Sequence, residues 1–159
     1  MCGIVGYLGN RVAQDALIDG LRRLEYRGYD SAGAAFHDGN SFSLVRETGR
    51  VENLAATLRQ NNPTSTLGIA HTRWATHGAV TVSNTHPHLS HDGKIALVHN
   101  GVIENYGPLK RILEGKGIEF SSETDSEVLS NLIAYHYARL GGEEDRFTQA
   151  LREALSQCR

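Results

Sequence analysis

The sequence predicts an α+β fold in which helices pack on sheets of largely antiparallel strands. The predicted strands all precede Gly101, and three helices follow one another in the last third of the chain. This segregation favours an α+β architecture, because a doubly wound parallel sheet needs strands and helices in regular alternation. Short turn-like connections between the early strands favour antiparallel pairing.

The first part of the chain predicts a strand, a helix and a hairpin. The elements are a strand at 2–9, a helix at 11–24 and paired strands at 32–37 and 42–47. The first strand is apolar and bounded by glycine, and the helix has apolar residues at helical spacing. Asp38-Gly39-Asn40 is a strong turn signal between the two hairpin strands.

The rest of the chain predicts two more strands and four helices. We expect a helix at 51–59, a strand at 67–74, a loop at 75–94, a buried strand at 95–99 and helices at about 105–115, 124–139 and 145–157. Thr124 and Glu127 have the spacing of a capping box at the start of the helix at 124–139.

Composition predicts one cytoplasmic domain over 1–159. Apolar residues make up 40% of the chain, charged residues 21%, and the net charge is −2. No basic block favours nucleic acid or a membrane surface, and no segment resembles a signal peptide or a membrane span. The last helix ends without a capping glycine or a following strand, so we expect a domain that is truncated at its C-terminus.

Cys2 is the first candidate for chemistry. Once Met1 is removed, its thiol and a free α-amine share one residue, with reference pKa values of about 8.5 and 7.7–8.0. The amine can then serve as general base for the thiol, directly or through a water molecule. A buried structural cysteine at the start of a strand is the alternative. Cys158, near the end of the last helix, is expected to play no part.

Three further segments carry polar groups at strand or helix ends. Their candidate residues are Arg73, Trp74, Thr76 and His77; Asn100 and Gly101; and Asp125. An arginine fork suits a carboxylate, an asparagine amide beside a glycine N–H suits an oxyanion, and an aspartate suits an ammonium group. Each segment also has a structural alternative: a strand end with a core tryptophan, an Asn-Gly turn, and a helix cap.

Together these segments resemble the class II, N-terminal nucleophile glutamine amidotransferases, and more narrowly the glutaminase domain of glucosamine-6-phosphate synthases. The resemblance rests on MCGIVGY, LRRLEYRGYDSAG, GIAHTRWATHG, HPH, VHNGVIENY and SETDSEV, in this order. Residues 24–31 discriminate best, because related purine-pathway and asparagine-forming enzymes differ after the shared Arg-Gly.

The resemblance implies a four-layer αββα sandwich and a role for each candidate. Cys2 would attack the side-chain amide of L-glutamine and release ammonia, with Asn100 and Gly101 as the oxyanion hole. The remaining implied roles are α-carboxylate binding by Arg73, α-ammonium binding by Asp125, pocket support by Thr76 and His77, ordering of the chain by Arg27, and gating by Trp74.

The resemblance also implies a larger context for this chain. A sugar isomerase domain, absent here, would use the ammonia on fructose 6-phosphate in amino sugar (hexosamine) synthesis, and the full-length protein would form a possible homo-oligomer. No cofactor and no metal are implied.

Two alternatives from other classes stay open. Six of the eight histidines lie between residues 71 and 99, and His86-Pro87-His88 could chelate zinc, although neither a cysteine pair nor an HExxH motif accompanies them. The other alternative is a truncated, non-catalytic fragment that binds glutamine or a partner chain.

Overall fold

The computed structural model describes residues 2–27, 30–74, 79–142 and 144–159, without the side chain of Arg27. The chain divides into two compact units. The N-terminal unit runs to His88 and includes Leu97–Asn100, and the C-terminal unit comprises Leu89–Ala96 and Gly101–Arg159. The single domain expected from the sequence stays a prediction.

The N-terminal unit is built on a four-stranded antiparallel sheet. Its strands are β1 (Gly3–Leu8), β2 (Ser31–His37), β3 (Phe42–Thr48) and β4 (Leu67–Arg73), in the order β1-β4-β2-β3. All four were predicted, and β2 and β3 form the predicted hairpin. Asp38 closes the turn, since its Oδ1 accepts the backbone N–H groups of Asn40 and Ser41.

Two amphipathic helices of this unit share one core with the sheet. They are α1 (Ala13–Leu24) and α2 (Val51–Asn61), both close to their predicted bounds. Leu17 and Leu21 of α1 and Leu54 of α2 are fully buried against apolar strand residues such as Phe36. A 3₁₀ turn at Glu25–Arg27, which the sequence did not predict, follows α1.

The segment between β4 and the C-terminal helices departs most from the predictions. It contains two short paired strands, β5 (His88–Leu89) and β6 (Ala96–Leu97). The strand predicted over 95–99 was therefore too long, and β5 falls inside a predicted loop. Short apolar runs carry no periodicity that fixes their backbone conformation, so the prediction rested on composition alone.

Three helices of the C-terminal unit lie near their predicted positions. They are α3 (Tyr106–Glu114), α4 (Asp125–Arg139) and α5 (Arg146–Gln157). In the described parts of the chain, no helix combines the length and the apolar character needed to cross a membrane.

The capping of α4 follows the prediction in part. Thr124 is the N-cap residue, and its Oγ1 accepts the backbone N–H of Glu127 at 3.2 Å. Glu127 does not complete the box on Thr124, however, because its carboxylate accepts the backbone and hydroxyl groups of Ser121 and Ser122. Burial opposes ionisation of Glu127, but these hydrogen bonds outweigh it and lower its pKa.

Candidate active site

The register of β1 on β4 places Cys2 beside the end of β4. Gly3 pairs with Thr72, and the Gly3 N–H donates to Thr72 Oγ1 at 3.1 Å. A side chain at position 3 would not fit, because a Cβ there would lie 2.7 Å from Leu24 Cβ and 2.8 Å from Thr72 Oγ1. The glycine thus allows the close approach that holds the preceding cysteine in place.

The Cys2 sulfur lies against the backbone of Trp74. The Trp74 N–H donates to Sγ at 3.4 Å, and the thiol lies 3.9 Å from the Trp74 carbonyl oxygen. Cys2 is partly exposed, and the Trp74 side chain is 53% exposed. The residue is therefore not fully buried and its sulfur is oriented by a backbone donor, unlike a cysteine that only fills a core.

Asn100, which is distant in sequence, also contacts Cys2. Its Nδ2 donates to the Cys2 carbonyl oxygen at 3.3 Å, across 98 positions of the chain. The backbone N–H of the preceding His99 donates to His86 Nδ1 at 3.4 Å, which helps to fix this end of the segment. A carboxamide with two N–H donors is thus held next to the thiol-bearing residue.

Arg73 is the last residue of β4 and is 6% exposed. Its Nη1 donates to the Ala79 carbonyl oxygen at 3.2 Å, and the same oxygen accepts Asn84 Nδ2 at 3.1 Å. Burial of a guanidinium that keeps its charge favours anionic or carbonyl partners around it.

Three histidines stack inside the N-terminal unit. The rings of His71 and His86 lie 4.3 Å apart and nearly parallel, and the His88 ring meets the His86 ring edge-on at 4.6 Å. His71 is 1% exposed, and its ring nitrogens have no hydrogen-bond partner among the described residues. Gly33 permits this packing, since a Cβ there would lie 2.2 Å from the His86 carbonyl oxygen.

Burial keeps His71 and His86 neutral. Loss of hydration, with smaller contributions from His88 and Arg73, lowers the pKa of His71 to about 3, although the nearby backbone of His99 opposes the shift. Burial and the neighbouring His71 and His88 rings also lower the pKa of His86 well below its usual range. A neutral His86 ring is what its Nδ1 needs to accept the His99 N–H.

We expect the stack to make the fold sensitive to acid. Below pH 6.5 the unfolded chain binds protons at these histidines, whereas folded His71 does so only near pH 3. The free energy of unfolding should therefore have its full value above pH 6.5. As the pH falls below 6.5, it should decrease by about 1.4 kcal/mol per pH unit for each histidine that stays neutral in the folded chain. Urea unfolding of the unaltered chain between about pH 7.5 and 5 measures this slope.

His71→Phe should make that slope shallower, because phenylalanine stacks without titrating. His91→Gln is the matched control, since His91 is exposed and should leave the slope unchanged. An identical slope in the His71→Phe chain would contradict the explanation.

The part of the chain that the structure describes contains no set of ligands for the zinc site considered as an alternative. Within those residues, no group of three or more histidine, cysteine, aspartate or glutamate side chains is arranged to hold a metal ion. His77 lies outside them.

The other predicted site residues lie either in the C-terminal unit or outside the described part of the chain. Gly101 and Asp125 belong to the C-terminal unit, where Asp125 Oδ2 accepts the Ile103 N–H at 2.8 Å. Thr76 and His77 lie outside the described residues, and so does the side chain of Arg27.

Sequence reasoning did not single out two residues that shape the site. Thr72 holds Gly3 through its hydroxyl, and Asn84 shares an acceptor with Arg73. Thr72 lies in the segment GIAHTRWATHG but was not given a role of its own, and Asn84 lies in a predicted loop outside the segments that carry the resemblance.

Comparisons with known proteins agree with this arrangement. The family model described as a glutamine amidotransferase domain matches residues 57–144, more than half of the chain. The glutamine–fructose-6-phosphate aminotransferase (isomerizing) of Thermus thermophilus is 52% identical over all of this chain and 25% of its own length. The enzyme of that name from Chlamydia abortus is 56% identical over 86% of this chain and 22% of its own length.

A solved structure shows the same fold. The glutamine phosphoribosylpyrophosphate amidotransferase from B. subtilis, complexed with ADP and GMP, superposes with a TM-score of 0.80 at 28% identity. The match covers 99% of this chain and 33% of the other, and it confirms the predicted α+β fold of the N-terminal nucleophile type.

The chain spans about a quarter of the length of the curated relatives it matches. Within that span, the family model, the relatives and the solved structure are all described as glutamine amidotransferases or aminotransferases that use glutamine. The chain belongs to the glutamine amidotransferase domain family.

Proposed function

We propose that this chain hydrolyses the side-chain amide of L-glutamine to glutamate and ammonia, with Cys2 as the nucleophile. One observation carries the proposal: in the partly exposed residue Cys2, the sulfur accepts the Trp74 backbone N–H and the carbonyl oxygen accepts Asn100 Nδ2. A nucleophile and an amide donor are thereby gathered at one place.

The reaction divides into two balanced steps. Cys2 Sγ bonds to the amide carbon of glutamine to give a tetrahedral adduct, and the thiol proton passes through the α-amine to the leaving nitrogen. The C–N bond then breaks, so that ammonia departs and a γ-glutamyl thioester remains. Water then adds to the thioester carbon, and glutamate leaves with the thiol restored. The α-amine exists only after Met1 is removed, so processing is part of the proposal.

Negative charge develops on the amide oxygen in both steps. The Asn100 carboxamide, which donates one N–H to the Cys2 carbonyl oxygen, has a second N–H for that oxyanion. The backbone N–H of Gly101 is proposed as the other donor. Such donors act mainly on the transition state, because the charge appears only there.

Recognition of free glutamine needs one cation and one anion. Arg73 is proposed to bind the α-carboxylate and Asp125 the α-ammonium group, which a planar fork and a carboxylate suit. Thr76 and His77 are proposed to support the pocket, and Arg27 to order the chain beside the nucleophile. The exposed Trp74 side chain is proposed to close over bound glutamine and to gate ammonia release.

The relatives suggest the larger reaction. Because those relatives are named glutamine–fructose-6-phosphate aminotransferases, we propose that the ammonia serves amino sugar synthesis from fructose 6-phosphate. The acceptor would bind to a part of the protein outside this chain. Oligomeric state and cytoplasmic location stay predictions.

A comparison of free and blocked N-termini tests the proposal. Ammonia release from L-glutamine is measured for the chain beginning at Cys2, verified by mass spectrometry, and for a chain with a short extension before Cys2. Loss of the α-amine as base should lower the turnover number by about 10²–10⁴-fold. The same extension placed after Arg159 is the matched control and should leave the rate unchanged.

Equal rates from the free and blocked chains would contradict the role of the amine. Glutamine binding without ammonia release from the free chain would overturn the enzyme proposal in favour of a binding fragment.

A further inference from the structure

The turn at residues 79–85, which follows β4 in the sequence, is held by hydrogen bonds among its own backbone and side-chain groups. The Ala79 carbonyl oxygen accepts the Thr81 N–H at 3.1 Å and Asn84 Nδ2 at 3.1 Å, and the Asn84 N–H donates to Thr81 Oγ1 at 3.2 Å. Thr85 Oγ1 donates to the Thr81 carbonyl oxygen at 2.9 Å. Asn84, at 2% exposure, is therefore fixed through both its backbone and its side chain.

A side chain from the sheet also holds this turn in place. Arg46 of β3 donates through Nη1 to the carbonyl oxygens of Ser83 at 3.3 Å and Thr85 at 3.2 Å. The two acceptors flank Asn84 in sequence, so the guanidinium fixes the backbone on both sides of the asparagine. The turn is thus anchored to a strand and not only to itself.

We propose that Asn84 is a positioning residue for Arg73. The two side chains donate to the same Ala79 carbonyl oxygen, Asn84 Nδ2 at 3.1 Å and Arg73 Nη1 at 3.2 Å. Since Asn84 is held by the anchored turn, it sets the direction of the oxygen that Arg73 meets. The inference rests on the proposed function, in which the Arg73 fork binds the α-carboxylate of glutamine.

The orientation of a guanidinium matters because its donors lie in one plane. One Nη1 hydrogen is committed to Ala79, and a two-point contact with a carboxylate requires the plane to be set in advance. Without Asn84, the Ala79 carbonyl group can rotate, and the acceptor that orients the Arg73 guanidinium is no longer held in one direction. Loss of this orientation should weaken the binding of ligands that carry an α-carboxylate and leave the binding of ligands without one unchanged.

Binding of two product-like ligands separates this role from a general structural one. L-glutamate carries the α-carboxylate, and 4-aminobutanoate is the same molecule without it. The dissociation constants of both are measured by calorimetry for the unaltered chain, Asn84→Ala and the isosteric Asn84→Asp, with thermal unfolding of each. Ser83→Ala is the matched control, because it removes a hydroxyl of the same turn, 3.0 Å from Thr81 Oγ1, but leaves the three donors to the Ala79 carbonyl oxygen and the Thr81 acceptor of the Asn84 N–H in place.

We expect Asn84→Ala and Asn84→Asp to raise the dissociation constant of L-glutamate about tenfold, as for one lost positioning hydrogen bond. The dissociation constant of 4-aminobutanoate should change less than about twofold. Ser83→Ala should change the dissociation constant of neither ligand by more than about twofold. Equal weakening of both ligands, or unchanged glutamate affinity, would overturn the inference.

Arg73→Ala distinguishes failure of the inference from failure of its premise. If Arg73→Ala weakens L-glutamate selectively but the Asn84 variants do not, only the positioning role is wrong. If Arg73→Ala has no selective effect, or the unaltered chain does not bind L-glutamate, the proposed carboxylate site is wrong and the inference falls with it.

Discussion

Replacing Cys2 with alanine is expected to abolish glutamine hydrolysis. The thiol is the only group proposed to bond to substrate carbon, and without it no thioester forms. The turnover number should fall by at least about 10³-fold, as is typical when a nucleophile is removed. Ammonia release from the chain verified to begin at residue 2 is the measurement.

The fold should survive this change. Cys2 is partly exposed and lies before the first paired residue of β1, so its truncation leaves no large cavity. Cys158→Ala is the matched control and should keep full activity, because Cys158 caps the end of α5, where its thiol donates to the Ala154 carbonyl oxygen. Substantial hydrolysis by a correctly folded Cys2→Ala chain would rule out the mechanism.

Replacing Asn100 with alanine should have the second-largest effect. The carboxamide is held at 3.3 Å from the Cys2 carbonyl oxygen and supplies a donor for the oxyanion. Loss of one such donor typically lowers the turnover number by about 10²–10³-fold, or about 2.7–4 kcal/mol of transition-state stabilisation. The Michaelis constant should change little, because the charge is absent in bound glutamine. Steady-state ammonia release over a range of glutamine concentrations measures both constants.

Asn100→Asp sharpens the test. Aspartate keeps the shape of the side chain but removes both N–H donors, and its charge opposes the oxyanion, so the rate should fall at least as far. Asn40→Ala, in the exposed turn between β2 and β3, is the control and should retain the unaltered rate. A rise in the Michaelis constant with an unchanged turnover number would instead assign Asn100 to substrate binding.

Much of the fold could be predicted because its signals are local. The Asp38-Gly39-Asn40 turn and the spacing of Leu17 and Leu21 act over a few residues, and the hairpin and α1 formed as predicted. The interval 88–97 was harder, because a short apolar run suits several conformations until its neighbours are known. Likewise Glu127 had the right spacing for a capping box, but Ser121 and Ser122 offered its carboxylate more donors.

The candidate site divides in the same way. Residue type and order identified Cys2, Arg73 and Asn100, because thiol, guanidinium and carboxamide chemistry belongs to the side chains themselves. Asn84 has the same carboxamide as Asn100, but it lies in a predicted loop outside the segments that carry the resemblance. Its importance comes from sharing the Ala79 carbonyl with Arg73, a fact that exists only in the folded chain.

By itself, the sequence determined the inventory of reactive groups, the α+β class and the family resemblance. Only the tertiary structure decided that Cys2 meets Trp74 across 72 positions and Asn100 across 98. Alternation along a strand sets which face its residues share, but not which strand becomes its neighbour or at what offset. That choice was made by the pairing of Gly3 with Thr72 and the burial of α1 against the sheet, which are long-range contacts.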